Sequence, residues 1–170
     1  MSDKSVSPPF FSCEIPVRWG DMDAYGHVNN AAMFGLLEEA RIHAFWAGDS
    51  GHGDDHLATR ILEGGPTADT FTLIAHQEIE YLAPIPYMRE PLDLQMWLGH
   101  VGGASLDVCY EIYSPTQTAT AENPQQLFAR ATTTIVLVDA KTTKPRRLTD
   151  IEREAIAPYT GENIAFKRRT

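Results

Sequence analysis

The densest cluster of chemically active side chains lies in one short segment, residues 18–30. It holds two carboxylates, Asp21 and Asp23, and one imidazole, His27, directly before a stretch with helical spacing. Free backbone N–H groups and the positive end of the helix dipole at such a start can stabilise a carbonyl oxygen that gains negative charge. The segment therefore predicts a site for acyl transfer or hydrolysis.

A carboxylate beside a helix start is sufficient for the hydrolysis of a thioester. The thiolate leaves easily, so an enzyme needs only a nucleophile, or a base for water, and a place for the oxyanion. A Ser-His-Asp arrangement is not required. The alternative interpretation is that Asp21 and Asp23 form turns or cap the helix, which is a common role of Asp in loops.

Hydrophobic periodicity indicates the elements that must position this segment. Residues 13–19 have the pattern of a strand, and Asn29 and Asn30 are both suited to cap the helix that follows. Apolar residues recur at helical spacing over residues 31–47, which predicts a helix that is largely covered. Gly35 in its interior costs about 1 kcal/mol relative to Ala, so we expect another backbone or a ligand to approach closely there.

Four long strands are predicted after a polar loop, because apolar and polar residues alternate with a period of two. These strands occupy roughly residues 71–81, 92–98, 106–112 and 129–137. A hairpin turn at Gly102-Gly103 favours antiparallel pairing over helical crossovers. A short terminal helix is expected within residues 149–159. The expected class is α+β, with one antiparallel sheet wrapped around the long helix.

Length and composition predict a single globular domain. The chain has 170 residues, of which 43% are hydrophobic and 22% charged, a typical balance for a folded protein. We expect a flexible N-terminal segment at 1–12, one domain at 13–159 and a basic tail at 160–170. No segment has the apolar run of a signal peptide or a membrane span, which predicts a cytoplasmic protein with no membrane partner.

Charge and metal-ligand spacing exclude other classes of function. The net charge of −9 argues against a nucleic-acid partner. Cys13 and Cys109 are far apart, which predicts buried free thiols and no disulfide. His52 and His56 flank two aspartates, but the neighbouring glycines disfavour the regular helix that would make them a metal site. We expect neither a metal nor a cofactor.

Residues 17–30, followed by Glu-Ala-Arg at 39–41, resemble the opening motif of hotdog-fold acyl-CoA thioesterases of the 4-hydroxybenzoyl-CoA thioesterase and YbgC-like kind. The resemblance continues through residues 78–84, similar to the second strand of the family, and residues 102–105, similar to its hairpin. It covers about residues 13–140. It implies a hotdog fold, an antiparallel sheet around one central helix, and hydrolysis of an acyl thioester to the free acid and CoA.

The same resemblance assigns the catalytic residues. By motif position Asp23 is the nucleophile or general base, and Asn30 supplies the backbone N–H that polarises the thioester carbonyl. The segment also resembles plant acyl-carrier-protein thioesterases, in which an Asn and a His follow the Asp at two-residue intervals. Here Tyr25 stands in place of that Asn, and a phenol cannot reproduce the paired donor and acceptor of an amide. His27 is therefore expected either to assist Asp23 or only to order the loop.

Substrate contacts are expected from the neighbours of the catalytic residues and from arginines that could neutralise the phosphates of CoA. The expected substrate-binding residues are Tyr25, Val28, Asn29, Phe34, Arg89, Arg146 and Arg147. Glu38 and Glu39 lie about 12–14 Å along the helix from Asn30, too far to act on a carbonyl held at its start. Glu39 is expected to pair with Arg41 or to reach a neighbouring subunit.

The resemblance implies a homodimer or a homotetramer, because the sites of the family resemble clefts at a subunit interface. Three alternatives stay open at this point: a non-catalytic acyl-CoA-binding module that senses or assembles, an acyl-carrier-protein thioesterase, and a hydratase or dehydratase of the same fold. The last ranks third, because the motif typical of those enzymes is not present at residues 29–45. The sequence does not identify the acyl group.

Overall fold

The structure, a computed structural model, describes residues 11–47, 62–63 and 68–167. It has an α+β architecture in which strands form the larger part. In chain order the strands and α-helices are β1 (Phe11–Ile15), α1 (Asn30–Phe45), β2 (Trp46–Ala47), β3 (Leu62–Glu63), β4 (Thr70–Tyr81), β5 (Leu92–Val101), β6 (Ser105–Tyr113), β7 (Leu127–Asp139) and α2 (Asp150–Ile156).

Five strands form one antiparallel sheet with the order β1-β5-β6-β7-β4. The four long predicted strands and their antiparallel pairing are confirmed, and β5 and β6 are joined by the predicted turn at Gly102-Gly103. A two-residue parallel pair, β2 with β3, was not predicted. Elements of two residues are too short to give a periodic signal.

The long helix α1 lies over the concave face of the sheet. Its buried side chains recur every three or four residues and include Met33, Leu37 and Ala44. They join the inward-facing side chains of β5, β6 and β7 in one hydrophobic core, where each fully buried Leu or Ile contributes about 1.5–3 kcal/mol. The predicted wrapping of the sheet around the helix is confirmed.

Arg41 lies on the buried side of α1. Its guanidinium donates to the Tyr110 hydroxyl at 3.1 Å and to Thr133 Oγ1 at 3.5 Å. Glu39 is exposed, and no ion pair joins it to Arg41 in the described part of the chain. The predicted ion pair is wrong, because residues two positions apart on a helix point to different faces.

Strand β4 is the exception to the buried pattern of the sheet. It is an edge strand, so only β7 pairs with it. Its apolar side chains are largely open to solvent, with Leu73 54% and Ile74 45% exposed. Phe71 and Tyr81 are exposed as well. The sequence alternates here as in the other strands, but alternation does not indicate whether a second layer covers the strand.

The segment 161–167 lies against the convex face of the sheet. The Gly161 N–H donates to the carbonyl of Leu98 at 2.7 Å, and the Trp97 indole N–H donates to the carbonyl of Glu162 at 2.8 Å. The His100 N–H donates to Asn163 Oδ1 at 3.0 Å. These contacts differ from the peripheral tail expected at 160–170.

The two ends of the predicted domain have further features. Strand β1 begins at Phe11, inside the segment expected to be flexible. The predicted terminal helix is confirmed as α2, which Thr149 caps: its hydroxyl accepts from the Glu152 N–H at 3.2 Å, and its N–H donates to the Glu152 carboxylate at 2.7 Å. Cys13 is half-buried and Cys109 is buried, and both are free thiols.

Candidate active site

Asp23 lies at the start of a tight loop that its own backbone closes. The Asp23 N–H donates to the carbonyl of His27 at 2.7 Å, and the Gly26 N–H donates to the carbonyl of Asp23 at 3.2 Å. Gly26 has a φ of 79°, a conformation that glycine adopts without steric cost. The loop returns the chain toward α1 within a few residues.

The Asp23 carboxylate is held by this loop. Its Oδ1 accepts hydrogen bonds from the backbone N–H groups of Tyr25 at 2.8 Å and His27 at 3.1 Å. Because the His27 N–H and then the Tyr25 N–H stabilise the charged form, the pKa of Asp23 is lowered. The carboxylate is therefore ionised throughout the physiological range.

The start of α1 is fixed on two sides. The Asn29 N–H donates to the carbonyl of Asp21 at 2.7 Å, and the Asn29 side chain caps the helix by accepting from the Ala31 N–H at 2.8 Å. The Tyr81 hydroxyl donates to the carbonyl of Asn30 at 3.2 Å. No acceptor for the Asn30 N–H occurs within the described residues, so this donor is available at the helix start.

These groups meet at an open cleft of about 400 Å³. The cleft is lined by Asp23, His27, Val28, Asn30, Tyr81, Leu82, Ala83, Pro84 and Ile85. The structure thus brings together the three predicted catalytic residues and Val28. An ionised carboxylate and a helix N-terminus around one cleft can hold a carbonyl group for attack.

The sequence-based site prediction missed the wall formed by residues 81–85. Tyr81 ends β4, burial raises the pKa of its hydroxyl, and that hydroxyl contacts the first residue of α1. The Val28 N–H donates to the carbonyl of Ile85 at 2.8 Å, which attaches this wall to the Asp23 loop. The resemblance of residues 78–84 to the second strand of the family was the available signal.

Several predicted substrate-binding residues do not line the cleft. Tyr25 is 85% exposed, and its backbone, as described above, supports Asp23. Asn29 acts as the helix cap. Phe34 is half-buried and packs against the hydrophobic core. Their assignment as substrate contacts stays a prediction.

The predicted phosphate ligands lie in two places. Arg89 is exposed and follows the cleft wall by four residues. Arg146, in contrast, forms two hydrogen bonds with the Glu152 carboxylate, at 2.7 and 2.9 Å, and donates to Thr70 Oγ1 at 2.7 Å. Arg147 is exposed beside it. Neither Arg146 nor Arg147 lines the cleft, and a role in phosphate binding stays a prediction.

Asp21 differs from Asp23 in its surroundings. It is buried, and the Arg18 guanidinium donates to its carboxylate at 3.0 Å. This hydrogen bond lowers the pKa of Asp21. The carboxylate is therefore hydrogen-bonded to Arg18 and does not line the cleft.

No group of three His, Cys, Asp or Glu side chains with the geometry of a metal site occurs in residues 11–47, 62–63 and 68–167. His52 and His56 lie outside the described residues. Within the same ranges, no helix has the length and apolar character needed to cross a membrane.

The sheet wrapped around α1 is a hotdog fold, and an ionised carboxylate lies in the cleft at the start of the helix. A profile described as the thioesterase-like superfamily matches residues 17–157. The match covers most of the chain, and the chain belongs to this family.

Individual relatives agree with this assignment. The chain is similar to the YbaW probable thioesterase of Escherichia coli, with 27% identity, a TM-score of 0.61, and coverage of 87% of this chain and 97% of that one. It is also similar to the PA2801 protein of Pseudomonas aeruginosa, with 30% identity, a TM-score of 0.63, and coverage of 85% and 96%. The uncharacterized protein YsmA of Bacillus subtilis is 29% identical over 102 residues, which span 59% of this chain and 58% of YsmA.

Proposed function

We propose that this protein hydrolyses acyl-CoA thioesters and that Asp23 carries the reaction. The observation that supports this most directly is the cleft lined by both Asp23 and Asn30, because the Asn30 N–H has no acceptor among the described residues. The carbonyl oxygen of the thioester would accept from that N–H, where the helix dipole stabilises developing negative charge. We also propose that the protein is cytoplasmic, as expected from the sequence.

Two routes use the Asp23 carboxylate in its ionised form. In the first, the carboxylate attacks the carbonyl carbon, the thiolate of CoA leaves, and water then hydrolyses the mixed anhydride. In the second, Asp23 takes a proton from water as that water attacks. A single turnover in ¹⁸O-labelled water separates the two routes if water opens the anhydride at the aspartyl carbonyl. The released acid then contains no ¹⁸O, because its second oxygen comes from Asp23, whereas the general-base route puts one ¹⁸O into the acid.

His27 contributes to the site in two distinct ways. Its backbone N–H and carbonyl both bond to Asp23, so the peptide unit positions the carboxylate whatever the side chain does. Its imidazole lines the cleft and could protonate the leaving thiolate. Replacement of His27 by Ala keeps the backbone contacts and tests the imidazole alone.

The decisive experiment compares wild type with Asp23→Asn on short, medium, long and aromatic acyl-CoAs, with thiol release as the readout. The amide keeps the shape of the side chain but is neither a nucleophile nor a base, so kcat/KM should fall by at least about 100-fold. Asp21→Asn is the matched control, because Asp21 is bonded to Arg18 outside the cleft. Full activity of Asp23→Asn would refute the role of Asp23. If wild type bound acyl-CoA tightly without turnover, the result would favour the non-catalytic acyl-CoA-binding module.

CoA is preferred to acyl carrier protein as the carrier. Acyl carrier proteins are recognised through basic surfaces, and this protein has a net charge of −9. Arg89 is exposed four residues beyond the cleft wall, and we propose that it binds a phosphate of CoA. We expect Arg89→Ala to raise KM for acyl-CoA, and to leave KM unchanged for the matching acyl-N-acetylcysteamine, which has no phosphates.

The edge strand β4 supports a homodimer. Its twelve residues carry unpaired backbone groups along one side and exposed apolar side chains, a combination typical of strands that pair with another chain. We propose that two copies pair antiparallel through β4 around a two-fold axis. Ile74→Lys should give a monomer in light scattering. Ile151→Lys, at a 79% exposed apolar residue on α2, should leave the dimer intact.

A further inference from the structure

A second cavity, of about 170 Å³, lies between the C-terminal half of α1 and strand β4. It is lined by Glu38, Arg41, Ile42, Phe45, Thr72, Ile74 and Ile135. It shares no residue with the Asp23 cleft, although the same two elements form both. The cleft lies at the start of α1 and the end of β4, whereas the cavity lies toward their opposite ends.

The guanidinium of Arg41 is the unusual feature of this cavity. The residue is only 8% exposed, and its hydrogen-bond partners among the described residues are the hydroxyl oxygens of Tyr110 and Thr133. No carboxylate of the described residues forms an ion pair with it. A guanidinium has five N–H donors, and a buried charge without a counter-ion is unfavourable. An anionic ligand in the cavity would pair with this guanidinium.

Other side chains of the cavity narrow the chemistry of that ligand. Ile42, Phe45 and Ile135 give it apolar walls, which suit methylene groups better than a hydrated phosphate. Glu38 also lines the cavity but is exposed, so water screens its charge more than that of Arg41. The combination fits a short hydrocarbon segment that ends in a carboxylate.

The proposed dimer places this cavity next to the active-site cleft of the other copy. Full-length antiparallel pairing of two β4 strands sets Tyr81 opposite Thr70 of the partner subunit, and Gln77 opposite the partner's Ile74. Paired strands lie about 4.8 Å apart. Tyr81 lines the Asp23 cleft, and Ile74 lines the Arg41 cavity. Each cleft therefore adjoins the cavity of the partner subunit.

We propose that the partner's Arg41 binds a carboxylate at the far end of the acyl group whose thioester lies in the Asp23 cleft. The preferred substrates are then CoA thioesters of dicarboxylic acids, and each active site is complete only in the dimer. This inference rests on the proposed thioesterase activity and on the proposed dimer. Arg41 acts in it as a specificity-determining residue.

Substrate pairs test the specificity. For acyl-CoAs of equal chain length with and without a terminal carboxylate, we expect wild type to favour the carboxylate form by at least about 10-fold in kcat/KM, the size of one charge-assisted hydrogen bond. Arg41→Met should abolish this ratio, Arg41→Lys should keep part of it, and Glu38→Gln should increase it. Thermal unfolding and light scattering establish that each variant is folded and dimeric.

Three outcomes of this comparison overturn the inference. The first is a wild type that does not prefer the terminal carboxylate, and the second is an Arg41→Met variant that keeps this preference. The third is an effect of Arg41 that disappears in N-acetylcysteamine thioesters, which would assign Arg41 to a phosphate of CoA. Turnover of the plain acyl-CoA by wild type reports separately on the proposed function. The two proposals can therefore fail independently.

Subunit mixing tests whether Arg41 acts across the interface. Suppose that each active site takes Asp23 from one chain and Arg41 from the other. In a heterodimer of Asp23→Asn and Arg41→Met, one site then has both substitutions and the other site has neither. A 1:1 mixture of the two variants should then recover about one quarter of wild-type activity on the dicarboxylic substrate. If both residues belonged to the same chain, every site would lack one of them. No recovery in heterodimers isolated with two affinity tags overturns the proposal.

Discussion

Gly26 allows the Asp23 loop to be perturbed without touching a functional group. Its φ of 79° lies in the left-handed region, and a Cβ placed on it would meet nothing within 4 Å. Gly26→Ala therefore adds no clash and imposes only the backbone cost of an L-residue at positive φ, about 1–2 kcal/mol. If the loop keeps its shape, this cost is lost from the free energy of unfolding. For a chain of this size the expected decrease in Tm is about 2–8 °C.

Calorimetry measures the decrease in Tm, and kcat/KM on an acyl-CoA reports whether the Asp23 carboxylate has moved. Gly26→Asn is the matched control, because Asn adopts the left-handed region more readily than Ala and should lose less stability. A smaller decrease in Tm with a large loss of kcat/KM would mean that the loop relaxes and displaces Asp23. Unchanged Tm and kcat/KM in Gly26→Ala would refute the reasoning.

Three further predictions concern residues outside the cleft. Thr143 has a φ of 55°, unfavourable for a β-branched residue, so Thr143→Gly should raise Tm, as measured by calorimetry. The hydrogen bonds from Arg146 lower the pKa of Glu152 in the folded protein. They therefore stabilise the folded state above the pKa of Glu152 in the unfolded chain, about 4.3, and this stabilisation is lost as the pH falls through the lower pKa of the folded state. Glu152→Gln should therefore cost about 1 kcal/mol at pH 7 and little at pH 3 in urea titrations. A Cβ on Gly99 would overlap the side chain of Asn163 in the C-terminal segment. Gly99→Ala should therefore displace this segment, expose the buried Cys109 thiol and speed its reaction with a disulfide reagent.

The sequence predicted most of the fold because the relevant signals are local. Alternation along β5, β6 and β7 depends on residues two apart, and the helical spacing of α1 depends on residues three and four apart. Exposure of β4 could not be predicted in this way, because it depends on the position of the strand in the sheet. The path of residues 161–167 was missed for a similar reason: irregular segments held by individual hydrogen bonds have no period.

The residues that line the cleft could be predicted from the sequence only where they are close together along the chain. Asp23, His27 and Asn30 lie within eight residues, so one motif contains them all. Tyr81 is brought to the same cleft only by the pairing of β4 with β7. Arg41 was assigned to an ion pair with a neighbour in sequence, whereas its partners come from β6 and β7. Contacts between distant segments depend on tertiary structure, which a single sequence does not give.

The support of Asp23 by main-chain N–H groups affects which substitutions this region can accept. Any residue except proline presents an N–H, so positions 25 and 27 can change side chain without moving the carboxylate. The side chains around the Asp23 carboxylate can therefore vary while the carboxylate keeps its position. If Asp23 is catalytic as proposed, a library randomised at Tyr25 and His27 would sample new specificities around a carboxylate in a fixed position, whereas Gly26 would have to be kept.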